Sequence, residues 1–359
     1  MRILALYVAR EFLKLFAFLV VGFVAIFSLF DFIEKVDNFM EAGVPGSAML
    51  SYFLLQVPEV TALMIPMAIL MASILSLGLM AKKNEIVAVK SSGISIFRLS
   101  MPIVLLSLVL ALGVALINEV VLPITKSRTN FIWNVRVEKQ PGKLYQKERF
   151  WYKGQNSIYQ VGFYQPDSQS LAEVTCYRFG PQFTMNERID AKRARYLGGK
   201  WMFFDGLYQR RLPGGGYSAQ IFDQLEVALP EKPADFSRLN KPSEEMSLGE
   251  LAHYVAKQER LGFDPLRQRV DMQAKLSFPF VCLIMALIGI PLAMFKEKGR
   301  FLPAAVLIGL GVALFYWVGF SYTKSIFGYT GVLPPVIAAW LPNLFFGLVG
   351  VFMFTHVRQ

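Results

Sequence analysis

The side chains that most often carry chemistry are scarce in this chain. Its two histidines, His253 and His356, and two cysteines, Cys176 and Cys282, are too few and too far apart for a zinc cluster, a Cys-x-x-Cys pair or a disulfide framework. It has no G-x-x-x-x-G-K-[ST] phosphate loop, no G-x-S-x-G elbow and no H-E-x-x-H pair. Gly214-Gly215-Gly216 lacks a following Lys and helix, so it reads as a strand-connecting loop. Neither unaided ATP hydrolysis nor metal chemistry is expected, and no cofactor is called for.

Three groups of charged residues remain. The first is Ala81 to Ile94 (AKKNEIVAVKSSGI), a short helical pattern closed by Gly93, in which Ile86, Val87 and Val89 are surrounded by Lys82, Lys83, Glu85 and Lys90. The plain reading is an interfacial loop whose lysines set orientation. The sharper one is a docking helix, with Glu85 the lone acid among cations and so a partner for an Arg across an interface. The second group is a polar band near the ends of apolar stretches. Asp31, Glu34, Lys35 and Asn38 fall on one helical face, Glu59, Asn118 and Glu119 lie at similar depth, and Lys126, Arg128 and Arg136 follow. Asp31 and Lys35 suit a plain i,i+4 pair; the alternative is a polar rim whose cations meet an anionic headgroup while apolar walls below receive acyl chains. The third is Lys275-Leu-Ser-Phe-Pro279, where a snorkelling Lys and a first-turn Pro open a helix.

The elements that must position these groups are dictated by composition. The chain has 359 residues, 54% hydrophobic and 18% charged, with a mean hydropathy of +0.43 and a formal net charge of +11. Soluble domains carry about 25% charged residues, so part of this chain's solvent is lipid, and disordered or fibrous classes are excluded. Six stretches can cross a hydrocarbon layer, which takes about 20 helical residues: Phe12 to Ile33, Phe53 to Met80, Met101 to Leu122, Leu276 to Phe295, Phe301 to Tyr322 and Val332 to Phe354. The first is too long for a cleaved signal core and reads as an anchor.

Basic residues alternate between the connections. The N-terminal arm carries Arg2, Arg10 and Lys14, the loop after span 1 (Asp37 to Tyr52) carries none, and the loop after span 2 carries Lys82, Lys83, Lys90 and Arg98. Lys296, Lys298 and Arg300 follow span 4, only Lys324 follows span 5, and Arg358 is in the tail. The positive-inside rule then puts both termini in the cytoplasm and the long polar segment outside. Most of the net charge is thereby explained as orientation charge, and no nucleic-acid partner is needed.

The expected organisation is an N-terminal membrane half (1–137), a β-domain (138–246), and a connecting helix with the C-terminal membrane half (247–359). The β-domain is read from Phe150 to Tyr164, Ala172 to Phe179, Ala194 to Phe204 and Tyr217 to Leu229, where aromatic or β-branched residues alternate with polar ones. Gly198-Gly199 gives a two-residue hairpin, and the product is an antiparallel sandwich or open roll. Pro230, Pro233 and Pro242 mark a linker, and Ser247-x-x-Glu250 is a capping box opening a helix to about Arg260.

These features together resemble the lipopolysaccharide-export ABC transporter permeases, the paired LptF and LptG subunits, over essentially the full length. The matching residues are Val36-Asp37 with Ala42-Gly43, Pro66-Met67-Ala68, Ala81-x-x-x-Glu85 through Ser92-Gly93, and Glu119-x-x-x-Pro123. Further on they are Ser247-Leu with Leu251 and Tyr254, Lys275-x-x-x-Pro279, and Pro334-Pro335 with Leu341-Pro342. Val36-Asp37 and Pro334-Pro335 look closer to LptG.

The resemblance implies a membrane α-helical fold of six transmembrane helices (3+3) with an inserted periplasmic all-β jellyroll-like domain, in the inner membrane of a Gram-negative cell. It also implies a permease subunit that takes lipopolysaccharide from the outer leaflet of that membrane and hands it to a periplasmic bridge protein. The implied partners are an LptF-like second permease as heterodimer, two copies of a cytoplasmic ABC ATPase that carry out the hydrolysis, the bridge protein, and a single-span membrane regulator.

On this footing Lys82, Lys83, Glu85, Val89 and Gly93 form the ATPase-coupling element. Asp31, Lys35, Lys126, Arg128 and Arg136 are the substrate-binding candidates. LptG-like relatives tend to carry several lysines at the outer end of span 1, whereas this chain has Glu34, Met40 and Glu41 there. The competing classes are a membrane scaffold recruiting periplasmic partners and a secondary transporter of an anionic lipid. The first predicts no ATPase association; the second favours ionisable residues at the bilayer midplane, of which there are few.

Overall fold

The computed structural model describes residues 2–138, 150–154, 157–165, 169–180, 184–197, 199–212, 215–227, 229–231, 233, 242–260, 264–294 and 302–356. Gly198, Gly214, Lys296, Lys298, Arg300 and Arg358 lie outside them. The chain divides into two compact units: Met1–Glu41 with Pro45–Thr129 and Ser243–Gln359, and Ala42–Val44 with Asn130–Pro242.

The first unit is helical. Its long elements are α1 (Arg2–Glu41), α2 (Gly46–Lys82), α4 (Ile96–Val137, whose last turns belong to the second unit), α6 (Leu266–Met294), α7 (Leu302–Gly328) and α8 (Pro335–Thr355). All six are long and apolar enough to cross a membrane, so the chain is multi-pass. Two short helices, α3 (Glu85–Ser91) and α5 (Leu248–Arg260), lie between them.

Burial separates the six by role. The apolar window of α2 is 72% buried and that of α6 61%, against 0% for α1, so α2 and α6 form the packed centre. Small residues let the neighbours close on them. A Cβ on Gly289 of α6 would stand 2.8 Å from Cβ of Ser73 and 2.9 Å from the Leu70 carbonyl oxygen of α2. One on Gly309 of α7 would strike the Ile74 and Met71 side chains. α1, α7 and α8 instead present Phe18, Phe30, Leu314, Phe315, Phe345 and Phe352 outward, a surface that only lipid or a partner makes tolerable.

A buried polar relay joins three spans. The Tyr316 hydroxyl of α7 donates to Oδ1 of Asn343 on α8 (2.6 Å), whose Nδ2 donates to the Ser277 carbonyl of α6 (2.7 Å). The helix tightens there into a 3₁₀ turn, Phe278–Phe280, in which the Val281 N–H bonds back to Phe278 and leaves the Ser277 carbonyl to accept from Asn343. Every polar atom in this relay is thereby satisfied in a dry environment.

The third span departs from expectation. Hydropathy ends it near Leu122, but the helix continues to Val137 through π-turns at Ile117–Val121 and Ile132–Val137. The polar run Thr125 to Arg136 breaks the hydropathy signal without breaking the backbone.

The described strands of the second unit form one antiparallel sheet in sequence order: β1 (Phe150–Lys153), β2 (Ser157–Gln165), β3 (Ser170–Phe179), β4 (Met185–Leu197), β5 (Lys200–Arg211) and β6 (Tyr217–Val227). The β-patterned run Phe150 to Tyr164 is two strands, folded back after Gly154 with Tyr152 paired to Tyr159. The β4–β5 hairpin is the one expected: Leu197 pairs with Lys200, and Gly199 has φ +88°.

One face carries Tyr159, Val161, Val174, Cys176, Ile189, Trp201 and Phe203, all buried. Its alternation skips across the middle of the sheet. Leu171 and Val174, and likewise Ala191 and Ala194, are three apart yet both buried, where strict pleating would put them on opposite faces. The left-handed Glu173 (φ +48°) and Asp205 (φ +52°) lie on this row, and Gly206 there leaves no room for a Cβ beside the Asp190 carbonyl and the Phe222 ring. The sheet therefore bends along it. Glu231 closes one end of the buried face. It accepts from the Tyr159 hydroxyl (2.5 Å), and its main-chain oxygen accepts from Nε1 of Trp201 (2.8 Å). Burial pushes the Tyr159 hydroxyl above its usual range and the Cys176 thiol up to about 12.

Candidate functional site

Two places in the first unit gather the charged residues. The first is α3. Asn84 (φ +59°) turns the chain out of α2 in the left-handed conformation, and Gly93 (φ +75°) ends the helix, its N–H donating to the Lys90 carbonyl (2.9 Å). Ile86 is buried and Val89 packs on the helical core, so α3 is seated on one face. Lys82, Lys83, Val87 and Gly93 are exposed. The Glu85 side chain, a third exposed, accepts from the Tyr7 hydroxyl at 3.1 and 3.4 Å and has Lys83 Nζ at 3.9 Å. A short helix thus offers an acid at its first position beside two exposed cations.

The second place is a cavity of about 340 Å³ between α2, α4, α6, α7 and the segment Ser243–Glu244. Its walls mix apolar Leu63, Phe278, Trp317 and Phe320 with Glu59, Asn118, Lys126, Glu244, Asp271, Lys275 and Lys324. Ionised groups in spanning helices are costly unless paired, and most here are. Lys126 Nζ stands 2.5 Å from Glu59 and 3.9 Å from Glu244. Asp271 accepts from Lys324 (2.9 Å) and from the Tyr329 hydroxyl (2.5 Å). Lys275 donates to the Met246 carbonyl. Two of these side chains owe their aim to π-turns, Asn118 in Ile117–Val121 and Lys324 in Thr323–Gly328, where an extra residue per turn redirects the helix face.

Next to the cavity, Glu119 accepts from the N–H groups of Leu248 (2.7 Å) and Gly249 (3.5 Å) at the start of α5. The expected capping box completes that terminus: Glu250 N–H donates to Ser247 Oγ and Ser247 N–H to Glu250 Oε2, both at 3.1 Å.

Of the five substrate-binding candidates, only Lys126 lines this cavity. Asp31 and Lys35 form the plain i,i+4 pair at 2.6 Å, with the ammonium 5.4 Å from the centre of the Tyr52 ring. Arg128 is exposed and makes no ion pair among the described residues, and Arg136 is exposed in the second unit. Sequence reasoning missed Asp271 and Lys324 and treated Lys275 only as a snorkelling residue. The available signal was Asp271 four residues before Lys275, two ionisable groups on one face of an apolar helix.

The comparisons agree with this organisation. The family described as lipopolysaccharide export system permease LptF/LptG matches residues 6–356. The lipopolysaccharide export system permease protein LptG of Escherichia coli strain K12 is 23% identical over 343 residues, 91% of each chain. LptG of Haemophilus influenzae is 22% identical over 300 residues, 81% of each chain. Both relatives are named as permease proteins of a lipopolysaccharide export system. With six spans, a β-unit between the third and fourth, and a match running almost from end to end, the chain belongs to the LptF/LptG family of lipopolysaccharide export permeases.

Proposed function

We propose that this protein is a permease subunit, of the LptG type, that extracts lipopolysaccharide from the outer leaflet of the inner membrane and passes it toward a periplasmic bridge protein. The observation that carries the reading is the family match across residues 6–356 of a chain with a polar-walled cavity among its spans. Energy comes from outside the chain. At about 0.8 kcal/mol per buried CH₂, a multi-acyl lipid does not leave a bilayer at a useful rate unaided, and the sequence offers no nucleotide site of its own.

Two copies of a cytoplasmic ABC ATPase dock at α3, where Lys82, Lys83, Glu85, Val89 and Gly93 form the coupling element, and their closure narrows an outward cavity. The second wall of that cavity is an LptF-like permease, which also covers part of the exposed apolar surface. Asp31, Lys35, Lys126, Arg128 and Arg136 supply headgroup contacts. The termini and α3 face the cytoplasm, the β-domain (138–246) lies in the periplasm, and a single-span regulator completes the assembly.

Purification from native membranes tests the reading. An ATPase, a second permease and bound lipopolysaccharide should copurify, and depletion of the protein should trap newly made lipopolysaccharide in the inner membrane. Normal lipopolysaccharide export after depletion would overturn it.

A further inference from the structure

The three lysines of the cavity are not equivalent. Lys126 is closed by Glu59 at 2.5 Å and Lys324 by Asp271 at 2.9 Å. Lys275 makes no ion pair among the described residues; its ammonium donates to a neutral carbonyl, that of Met246. Phe278 and Trp317 stand in the same wall. Glu119, Asp271 and Glu244 act on Lys275 only by longer-range attraction. A cation in a spanning helix, facing a cavity with an aromatic wall and with no carboxylate in ion-pair contact among the described residues, matches an amphiphile whose anionic group sits beside an apolar body.

We infer that Lys275 is the residue of this cavity that takes a phosphate monoester of the entering lipid, exchanging the Met246 carbonyl for a phosphate oxygen. The inference rests on the lipopolysaccharide reading above and assigns it a residue outside the expected rim. A charge-assisted bond to phosphate is stronger than one to a neutral carbonyl, so the exchange runs toward the ligand. It also has a consequence at a distance from the ammonium. Met246 is buried just before α5, and losing its bond to Lys275 removes one of the contacts that tie Ser243–Ser247 to the spans. Occupancy of the cavity is therefore readable at the start of α5.

The test uses the permease complex from native membranes in nanodiscs, with a photo-crosslinking residue at Leu63 on the cavity wall. Lys275→Gln should lower the crosslink to lipopolysaccharide about tenfold, and Lys275→Arg should retain most of it. Removing the lipid phosphates should lower the wild-type yield by a similar factor and add little in Lys275→Gln. Hydrogen exchange in residues 243–251 should quicken when phosphorylated lipid is added to the wild type and stay unchanged in Lys275→Gln.

Equal crosslinking in wild type and Lys275→Gln, with the same phosphate dependence, overturns the inference while leaving the export reading intact. No crosslink to lipid even in the wild type sinks the cavity's lipid reading and the inference with it. Inorganic phosphate without lipid should neither displace the crosslink nor quicken exchange; if it does both, the lipid source is wrong.

Discussion

The hydroxyl of Tyr7 donates to both carboxylate oxygens of Glu85, at 3.1 and 3.4 Å, joining the second turn of α1 to the first residue of α3. Val8 and Phe12, on the turns beside Tyr7, are fully buried, so this end of α1 is a fixed post. An exposed hydrogen bond of this kind contributes about 0.5–1.5 kcal/mol. Tyr7→Phe should therefore weaken ATPase association two- to tenfold and Glu85→Ala more. Pull-down with quantified ATPase stoichiometry measures both, and full association in Glu85→Ala would remove α3 as the docking element.

Glu119 holds the first N–H groups of α5 from another helix. Losing a carboxylate cap costs about 1 kcal/mol, so Glu119→Ala should raise hydrogen exchange at Leu248 and Gly249 roughly fivefold, with Glu119→Gln in between. Because Ser247 and Glu250 still cap each other, α5 should remain helical beyond its first turn.

Gly289 lets α6 pack directly against the backbone of α2. Gly289→Val would drive its Cβ into Ser73 and the Leu70 carbonyl, an overpacking cost of about 1–3 kcal/mol. The thermal midpoint in detergent should fall. Gly319→Val on α7, where nothing stands within 4 Å, is the matched control and should leave it unchanged.

Cys176 is buried in the sheet with its thiol pushed up to about 12, and the thiolate is the reactive form. In a Cys282→Ala background, a maleimide should not label the native protein between pH 7 and 9 and should label it fully in denaturant. Labelling of the native protein as fast as an exposed thiol, levelling off as pH passes about 8.5, would contradict the burial.

Arg128 and Arg136 are the exposed members of the expected rim. If they meet headgroups, reversing both to Glu should weaken lipid crosslinks placed beside them, and Lys35→Glu should do the same after breaking its pair with Asp31. Unchanged crosslinking would make them ordinary surface charges.

What sequence could reveal here was bounded by distance along the chain. Six apolar runs, the capping box at Ser247 and Glu250, the Leu197–Lys200 hairpin and the Asp31–Lys35 pair are all local patterns, and each is present in the structure. Partners far apart in sequence were invisible: Glu59 with Lys126, Asp271 with Lys324, Glu119 with Leu248. The end of α4 was misjudged because hydropathy stops at Leu122 while helical hydrogen bonding continues to Val137. β4 begins at Met185 with a polar run, Asn186 to Arg188, that carries little strand signal, and its place in the sheet is set by pairing with β3 and β5.

The π-turn at Ile117–Val121 has an evolutionary corollary. A π-turn accommodates one surplus residue inside an α-helix without rotating the turns beyond it. A single-residue deletion there should be absorbed, leaving Lys126 in phase while withdrawing Asn118 and Glu119 from their positions. In homologues that lack this turn, an alignment should open a one-residue gap at this point in the third span, a place where indels would otherwise be forbidden.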